Sequence, residues 1–343
     1  MAIRFERREK VTRYLDPREG YREREIRTEM RRDPLTGRSA RVAHFLGFEL
    51  RPSDFGPAAE ATRPLCPFCP ERVAEVTPKF PPDLLPEGRL VRGEAILFPN
   101  LSPYDEQSAV AVLTREHHVP LGGFRAERLA DGFLACAEYF RRARGGRGEV
   151  YGLVSWNYMP PSGSTQIHPH LQAFLTETPG NALEQELEAS RRWAAPAGRP
   201  YWAELVEAEE RLGERFVARG RASVWLTAFV SQGPLSDLLV VFPGRSTLAE
   251  LPEEAVAELA ERLVQALRYL AGRGVSSFNL AFFPAAGERD DFWLHLRLSP
   301  RLYLAPRLGA SDISSLQHLY QEPYMIWTPE ELAAGLRGAV RPT

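Results

Sequence analysis

The sequence predicts an α+β fold that is made of two similar halves. Two segments, residues 126–144 and 252–271, carry apolar residues at the spacing of an amphipathic helix, and glycines follow each of them. A strand, a loop and a second strand follow both helices, and strand-like segments precede them. This repeated order predicts two α+β units, each with an antiparallel sheet and helices, related by approximate two-fold symmetry.

The first half begins with a charge-dense segment, residues 1–45, in which the turn-like sequence Asp33-Pro34-Leu35-Thr36-Gly37 indicates an arm rather than core. A proline-rich passage, residues 52–86, follows. Cys136 lies on the apolar stripe of the helix 126–144, so we expect it to be buried in the core. The predicted strands of this half are residues 89–98, 108–114 and 149–156.

The second half opens with residues 179–220, which are rich in Glu, Ala and Arg. Leu205, Leu212 and Phe216 lie at helical spacing there and predict a surface or connecting helix. The predicted strands of this half are residues 224–230, 237–242, 276–283 and 291–299.

An internal repeat sets the boundary between the halves. Residues 156–157 match 278–279, and residues 168–172 match 295–299, where arginine stands in place of the second histidine. We expect the halves to be residues 1–178 and 179–343, with the histidine pair only in the first.

Composition excludes several functional classes. A formal net charge of −2 over 343 residues gives no bulk attraction to nucleic acid or anionic lipid. No apolar run is as long as a membrane span, and the charged N-terminus does not resemble a secretory signal. Three cysteines do not make a disulfide framework. We therefore expect a cytoplasmic protein without nucleic-acid or membrane partners.

The most informative stretch is His168-Pro169-His170-Leu171-Gln172. On an extended strand, residues two apart share a face, so His168, His170 and Gln172 would project together. Pro169 cannot donate to a sheet, which indicates an edge strand or a functional irregularity. The preceding residues 162–165 can offer hydroxyl and amide donors to a phosphate. A neutral imidazole is a nucleophile for phosphorus, which favours group transfer; a structural or metal-binding role is the alternative.

Cys66 and Cys69 form a short Cys-x-x-Cys pair. A thioredoxin-like redox pair needs a strand-to-helix start, which the proline-rich surroundings do not supply. A zinc site needs four ligands. The histidines that could complete one are His117, His118, His168 and His170. Two structural thiols are the alternative, because the long Cys-to-His spacings match no compact zinc finger.

Several motifs occur in order along the chain. They are Asp33-Pro34-Leu35-Thr36-Gly37 with Arg51-Pro52, Cys66-Pro67-Phe68-Cys69, Phe98-Pro99-Asn100, Thr114-Arg115-Glu116-His117, Asn157, Gly163-Ser164-Thr165, His168-Pro169-His170-Leu171-Gln172 and Trp327-Thr328-Pro329-Glu330-Glu331-Leu332. Through them most of the chain resembles the galactose-1-phosphate uridylyltransferase family of the histidine-triad superfamily. The resemblance implies two fused histidine-triad-like halves, often assembled as a homodimer.

The resemblance also implies ping-pong nucleotidyl transfer. His170 would attack the α-phosphorus of a nucleoside diphosphate-sugar, Gln172 would bind the phosphate, and a sugar 1-phosphate would accept the nucleotidyl group. The implied ligands of one structural zinc ion are Cys66, Cys69, His117 and His168, with His118 as the competitor of His117. The implied substrate-binding residues are Arg51, Asn100, Asn157, Ser164 and Thr165.

The sequence departs from the family pattern at several positions. Leu171 stands where the family has glycine, and Leu101 stands where it has Asp. Arg297 replaces a histidine of the family's second iron or zinc site, so we expect that site to be absent even though Glu186 keeps an acidic position. His318 and Tyr324 replace the Glu and Gln that bind the hexose. Changed hydrogen-bonding groups imply a changed sugar.

Three functions remain open at this stage. The first is a nucleotidyltransferase of the uridylyltransferase kind, which in the family serves galactose metabolism. The second is a phosphorylase that uses inorganic phosphate to cleave an ADP-sugar or a dinucleoside polyphosphate. The third is a non-enzymatic, zinc-containing nucleotide-binding protein, which the presence of both His170 and Gln172 disfavours.

Overall fold

The computed structural model describes residues 3–43 and 48–340. Their strands are β1 (Glu6–Asp16), β2 (Arg22–Arg32), β3 (Ser39–Val42), β4 (Leu90–Arg92), β5 (Ala95–Pro99), β6 (Gln107–Val112), β7 (Tyr151–Tyr158), β8 (His170–Thr176), β9 (Phe216–Arg219), β10 (Val224–Thr227), β11 (Leu238–Val241), β12 (Ser277–Phe283), β13 (His295–Arg301), β14 (Tyr303–Ala305), β15 (Ala310–Ser311) and β16 (Tyr324–Met325). Their helices are α1 (Gly56–Thr62), α2 (Pro70–Val76), α3 (Ala126–Arg144), α4 (Asn181–Ala197), α5 (Tyr201–Leu212), α6 (Glu253–Gly272), α7 (Ser315–His318) and α8 (Pro329–Ala339). None of these helices has the length and apolar character that crossing a membrane requires.

A ten-stranded antiparallel sheet forms the centre of the molecule, in the order β4-β5-β6-β8-β7-β12-β13-β11-β10-β9. The sheet consists of two sets of five strands, β4-β5-β6-β8-β7 and β9-β10-β11-β13-β12, each written from its edge to the centre. In both sets the fifth strand along the chain lies between the third and the fourth, and β7 pairs with β12 where the sets meet. The α+β class is confirmed, although the two expected sheets are joined into one. The division of the chain between residues 178 and 179 stays a prediction.

Helices α3 and α6 pack together and cover one face of this sheet. Their apolar stripes, which include Leu129, Phe133, Leu259 and Leu263, are fully buried. Burial of such a side chain contributes about 1.5–3 kcal/mol, so this layer is a large part of the stability. Cys136 lies in the same layer and is fully buried, as its place on the stripe predicts.

The opposite face is covered only toward its two edges. Val73 of α2 packs on β5 and β6 at one edge, and side chains of α4 and α5, such as Leu187 and Trp202, pack on β10 and β11 at the other. Between them, the four middle strands carry polar side chains that are buried or half-buried. We call this surface the central polar face; its residues are His170, Gln172, Ser155, Asn157, Asn279 and Ser299.

The N-terminal residues form a long hairpin, as expected for an arm. Strands β1 and β2 pair along their whole length, and β3 and β16 extend them to a four-stranded sheet. Ion pairs such as Arg27–Glu9, at 3.1 Å, join the hairpin strands. At its base, the buried Arg31 forms an ion pair with Glu330 of α8 at 2.9 Å, which attaches the hairpin to the body.

One expectation about local structure was wrong, and one of the two alternatives given for Pro169 is excluded. Phe216 does not continue a helix: α5 ends at Leu212, Gly213 adopts φ 70°, and Phe216 begins β9. The helical spacing of Phe216 was therefore fortuitous. The strand after Pro169 is not an edge strand, since β8 lies between β6 and β7. Pro169 is tolerated because it stands just before the first strand residue, where its carbonyl accepts from the Leu113 amide at 3.0 Å.

Candidate active site and metal centre

Two pairs of polar side chains lie next to each other on the central polar face. Ser155 of β7 is directly opposite Gln172 of β8 in the antiparallel register. Because side chains alternate along a strand, Asn157 and His170 point to this same face, one pair further along. The structure therefore brings together three predicted site residues, His170, Gln172 and Asn157.

His170 is held in a defined orientation at the start of β8. Only 8% of its surface is exposed. Its Nδ1–H donates to the His168 carbonyl oxygen at 2.8 Å, which fixes the tautomer and leaves the Nε2 lone pair for chemistry. The Phe68 ring lies against the imidazole, with ring centroids 5.2 Å apart. Burial lowers the pKa of His170, so the imidazole is neutral at physiological pH.

The loop between β7 and β8 is folded back on itself beside this histidine. Met159 adopts φ 67°, a value that non-glycine residues rarely take, and Gly163 adopts φ 86°. The Ser162 hydroxyl and amide both donate to the Met159 carbonyl, at 2.7 and 3.0 Å. The Ser164 hydroxyl donates to the Gln166 carbonyl at 2.7 Å, whereas Thr165 is exposed. Ser164 therefore shapes the loop, and Thr165 faces solvent.

Leu171 packs against α3. Leu171 is fully buried against this helix, on the face opposite His170. The facing helix residue is Gly132, where a Cβ atom would lie 2.1 Å from Leu113 and 3.6 Å from Leu171. Glycine at position 132 thus makes room for Leu113, whereas a Cβ atom there would be in ordinary van der Waals contact with Leu171.

Behind His170, four buried side chains converge as the sequence predicts. Cys66, Cys69, His117 and His168 place their ligand atoms within 4.8 Å of one another. The Sγ atoms of Cys66 and Cys69 lie 3.6 and 3.7 Å from His168 Nδ1. Cys69 Sγ lies 3.5 Å from His117 Nδ1. Tetrahedral zinc with ordinary bond lengths separates sulfur and nitrogen ligands by about 3.5–3.6 Å, so the group fits a zinc ion.

The hydrogen bonds of both histidines agree with metal binding through Nδ1. His168 Nε2–H donates to the Thr114 carbonyl at 2.7 Å. His117 Nε2 lies 3.1 Å from the Thr62 hydroxyl, which itself donates to the Ala58 carbonyl and so accepts from the imidazole. Both Nδ1 lone pairs therefore face the cysteines, with the supporting contacts that metal-bound histidines usually have.

The protonation of the group also favours a bound cation. Burial, then the neighbouring Cys66, raises the pKa of Cys69 to about 12. Burial lowers the pKa of His168 to about 4. His168 is thus a neutral ligand, whereas the Cys69 thiol needs a cation to be present as a thiolate. His118 is only half-buried and lies outside the group, so the structure selects His117 of the two candidates.

The remaining predicted substrate residues lie outside the central polar face. Asn100 follows β5, and its side-chain oxygen accepts from the Ser102 amide at 2.9 Å. Arg51 is exposed and pairs with Glu49 at 3.1 Å, so the structure does not bring it to the other residues. His318 lines a cavity of about 330 Å³, whereas the buried Tyr324 donates to the Asp312 carbonyl at 3.4 Å.

We call this space the C-terminal cavity. Polar side chains from the sheet and from the segment around α7 line it; they include Asn279, Ser299, Arg301, Gln317 and His318. It lies on the same face as His170, because Asn279 pairs with Asn157 and Ser299 pairs with Asn279 across neighbouring strands.

In the second half, the positions that match the histidine pair form an ion-pair cluster. Glu186 of α4 lies 3.0 Å from His295 Nε2 and 3.4 Å from Arg297 Nη2. The Trp202 ring stacks on His295 with centroids 4.0 Å apart. The Arg297 guanidinium thus neutralises the carboxylate, and no second group of metal ligands occurs in residues 3–43 and 48–340.

Sequence reasoning missed two residues that contact the site. Phe68 lies between the two cysteines in sequence and packs on His170. Asn279 donates to the Asn157 side-chain oxygen at 2.6 Å. The internal repeat had matched residues 278–279 with 156–157, and this was the signal that could have identified Asn279.

Comparison with known proteins gives one relative of sufficient similarity to define a family. An uncharacterized protein of Archaeoglobus fulgidus is 30% identical over 310 residues, which cover 90% of this chain and 91% of that protein. No protein-family model matches the chain.

Solved structures with the same fold are more distant in sequence. A uridylyltransferase aligns with a TM-score of 0.65 at 22% identity, over 91% of this chain and 98% of that one. An ADP-glucose phosphorylase from Arabidopsis thaliana, with bound ADP-glucose, aligns with a TM-score of 0.69 at 16% identity, over 90% and 98%. A galt-like protein from the same plant gives the same TM-score at 15% identity. The fold expected from the resemblance is therefore confirmed.

Proposed function

Because the chain belongs to one family with the Archaeoglobus fulgidus protein and is a divergent relative of the uridylyltransferases in fold, we propose that it transfers nucleotidyl groups. The donor is a nucleoside diphosphate-sugar, and the acceptor is a sugar 1-phosphate. The observation that carries the proposal is the single tautomer of His170, whose Nδ1–H is bonded to the His168 carbonyl. A neutral imidazole with one available nitrogen, on a polar surface, suits a nucleophile for phosphorus.

In the first step, the Nε2 lone pair of His170 forms a bond to the α-phosphorus. The bond between this phosphorus and the bridging oxygen breaks, and the sugar 1-phosphate leaves with the electron pair. The intermediate carries a positive charge on the imidazole, and the 2.8 Å bond from Nδ1–H to the His168 carbonyl stabilises that charge. In the second step, an acceptor phosphate oxygen attacks phosphorus, and His170 leaves as neutral imidazole.

Gln172 and Asn157 stabilise the phosphate during both steps. Gln172 lies one pair away from His170 on the same face, where its amide can donate to a non-bridging oxygen. Asn157 uses its side-chain oxygen for the bond from Asn279, which leaves its amide N–H groups as donors. Fixed donors of this kind lower the barrier because charge accumulates on these oxygens in the transition state.

Zinc is the metal that we propose for the group of two cysteines and two histidines. When bound, it would fix His168 and leave no open coordination position, as in structural sites. The chain's own contribution is positional: a fixed His168 holds the carbonyl oxygen that orients His170.

The C-terminal cavity is the site that we propose for the sugar. Its lining of amide, hydroxyl, guanidinium and imidazole groups suits a polar ligand, and about 330 Å³ is in the range of small-molecule sites. His318 belongs to this lining, whereas Tyr324 supports it from behind through Asp312. Without a carboxylate at position 318, selection for a galactose hydroxyl is not supported, and the sugar and base are open to assay.

We also propose a homodimer. Its support is a segment with exposed large apolar side chains beside the C-terminal cavity: Leu308, Ile313, Leu319 and Tyr320. Burial of such a surface against a second copy would be favourable. Light scattering during gel filtration measures the mass, and a monomer at micromolar concentration would contradict this proposal.

Intact-protein mass spectrometry tests the chemistry. We expect wild type incubated with UDP-sugars or ADP-sugars to gain one nucleotidyl group, whose mass identifies the base. His170→Asn should gain none, while the matched control His118→Asn, outside the ligand group, should be labelled like wild type. If the wild type forms no adduct with any donor, including dinucleoside polyphosphates, and shows no turnover, the protein is a nucleotide-binding protein and the proposal is wrong.

The acceptor is identified by discharging the adduct. We expect sugar 1-phosphates to remove the nucleotidyl group faster than inorganic phosphate. Because a solved structure of the same fold is an ADP-glucose phosphorylase, the assay includes ADP-glucose as the donor and inorganic phosphate as the acceptor. Faster discharge by inorganic phosphate would replace the transferase reaction with phosphorolysis and retain His170 as the nucleophile.

A further inference from the structure

A continuous set of hydrogen bonds runs from the second half of the chain to Asn157. It begins at Asp312, whose side chain is fully buried. The two carboxylate oxygens accept from Arg301 Nε at 3.0 and 2.9 Å, and Arg301 Nη2 donates to one of them as well. The Leu302 amide donates at 3.2 Å. A bidentate contact of this kind fixes the plane of the guanidinium.

The fixed guanidinium then determines the orientation of Asn279. Arg301 Nη1 donates to the Asn279 side-chain oxygen. An asparagine amide can turn by 180° with little change in shape. An arginine N–H, however, can donate only to the amide oxygen of the asparagine, which excludes the turned orientation. The Asn279 nitrogen is thereby directed to the other side, where it donates to Asn157 Oδ1 at 2.6 Å and to the Ser162 carbonyl at 2.9 Å.

The orientation of Asn157 follows from that of Asn279. Since Asn157 Oδ1 accepts from Asn279, the Asn157 amide presents its N–H groups, not its oxygen, to the rest of the central polar face. The same Asn279 nitrogen holds Ser162, in the loop that leads to His170. One amide group thus controls both a donor beside His170 and the path of the loop.

We propose that Asp312, Arg301 and Asn279 are positioning residues, which act on the phosphate through Asn157. Their role is to keep the Asn157 N–H groups directed at a phosphate oxygen. This inference rests on the proposed nucleotidyl transfer. It assigns a role to the half of the chain that lacks the histidine pair: that half determines that Asn157 presents its N–H groups, and not its oxygen, to the phosphate.

Asn279→Asp tests the inference with almost no change in shape. An aspartate accepts where Asn279 donates, so Asn157 should turn and present its oxygen to the phosphate. We expect the rate of nucleotidyl-His170 formation at saturating donor to fall about 10²-fold, the effect of losing one transition-state donor. Asn181→Asp at the exposed start of α4 is the matched control and should react like wild type.

A double-mutant cycle with Asn157→Ala separates positioning from a structural effect. If Asn279 acts through Asn157, Asn279→Asp should cost almost nothing further once Asn157 is alanine. An equal loss in both backgrounds would overturn the inference. Arg301→Gln should behave like Asn279→Asp in this cycle, and Asn279→Asp remains informative if loss of the Asp312 ion pair prevents Arg301→Gln from folding.

Hydrogen exchange gives a measurement that does not depend on activity. Loss of the bond from Asn279 to Ser162 should speed amide exchange in residues 159–166 of Asn279→Asp, and not in Asn181→Asp. Unchanged exchange in this loop would overturn the anchoring by Asn279. If wild type forms no adduct, the proposed function fails, and the exchange result still decides whether Asn279 positions the loop.

Discussion

The strands β8 and β13 occupy matching places in the central sheet, next to β7 and β12, and yet they carry different chemistry. On β8, His170 is neutral, lies against Phe68 and faces the same surface as Gln172. On β13, Arg297 pairs with Glu186, and His295 contacts the same carboxylate. The first arrangement leaves an imidazole nitrogen available, whereas the second places opposite charges next to each other.

The difference shows how two similar halves can have separate tasks. In the first half, four buried cysteine and histidine side chains place their ligand atoms within 4.8 Å of one another, so the group can hold a cation. In the second half, the Arg297 guanidinium supplies the positive charge from the chain itself. We therefore propose that the first half carries the reacting groups and that the second half orients them through the hydrogen bonds that end at Asn157.

The largest difference is expected on metal removal. Cys69→Ser, or a strong chelator, should unfold the segment that holds α1 and α2, because structural zinc contributes about 10–16 kcal/mol in small sites. Calorimetry should show a large loss for the first half, and metal analysis should give one zinc per chain for wild type. Cys136→Ser, which changes a cysteine outside the group, is the control for the zinc content. A wild-type protein with well under one zinc per chain would contradict the assignment.

The sequence predicted the parts of this comparison that depend on local pattern. Residues 126–144 form the expected helix because the apolar stripe and the following glycines act locally. The four residues of the candidate metal group were implied by motifs rather than by spacing, since Cys69 and His168 are 99 residues apart. The bond from Asn279 to Asn157 joins residues 122 apart and depends on the register of β7 and β12, which no local pattern reveals.

The second prediction concerns the ion-pair cluster in the second half. Burial opposes ionisation of Glu186, but the Arg297 charge and the contacts with His295 outweigh it and lower the pKa of Glu186 below its ordinary 4.5. Glu186→Gln removes the carboxylate nearest to Arg297, while the charges of Asp237 and Asp33 remain. We therefore expect a loss of about 3 kcal/mol in the free energy of unfolding at neutral pH, the low end of the range for a broken buried ion pair. Urea unfolding measures this loss, and a change below 1 kcal/mol would show that the cluster is dispensable, by the same scale.

The pH dependence of the same variant sharpens the test. A carboxylate whose pKa is lowered by folding stabilises the protein above pH 4.5, and this contribution is lost as the pH falls through the lower folded value. Wild type should therefore lose stability below pH 4.5 more steeply than Glu186→Gln, and the two curves should converge in acid. Parallel curves would mean that Glu186 gains nothing from Arg297 and His295.

The smallest effect is expected at Gln172, which belongs to the reacting side of the comparison. Gln172→Ala removes one donor to the phosphate and keeps His170 and the metal ligands, so single-turnover nucleotidylation should slow about 10²-fold, or about 2.7 kcal/mol, while the melting temperature stays close to wild type. Gln185→Ala on α4 is the matched control and should react at the wild-type rate. If Gln172→Ala also reacts at that rate, the phosphate is bound elsewhere on the central polar face, and the role of Gln172 is limited to the packing of β8 against β7.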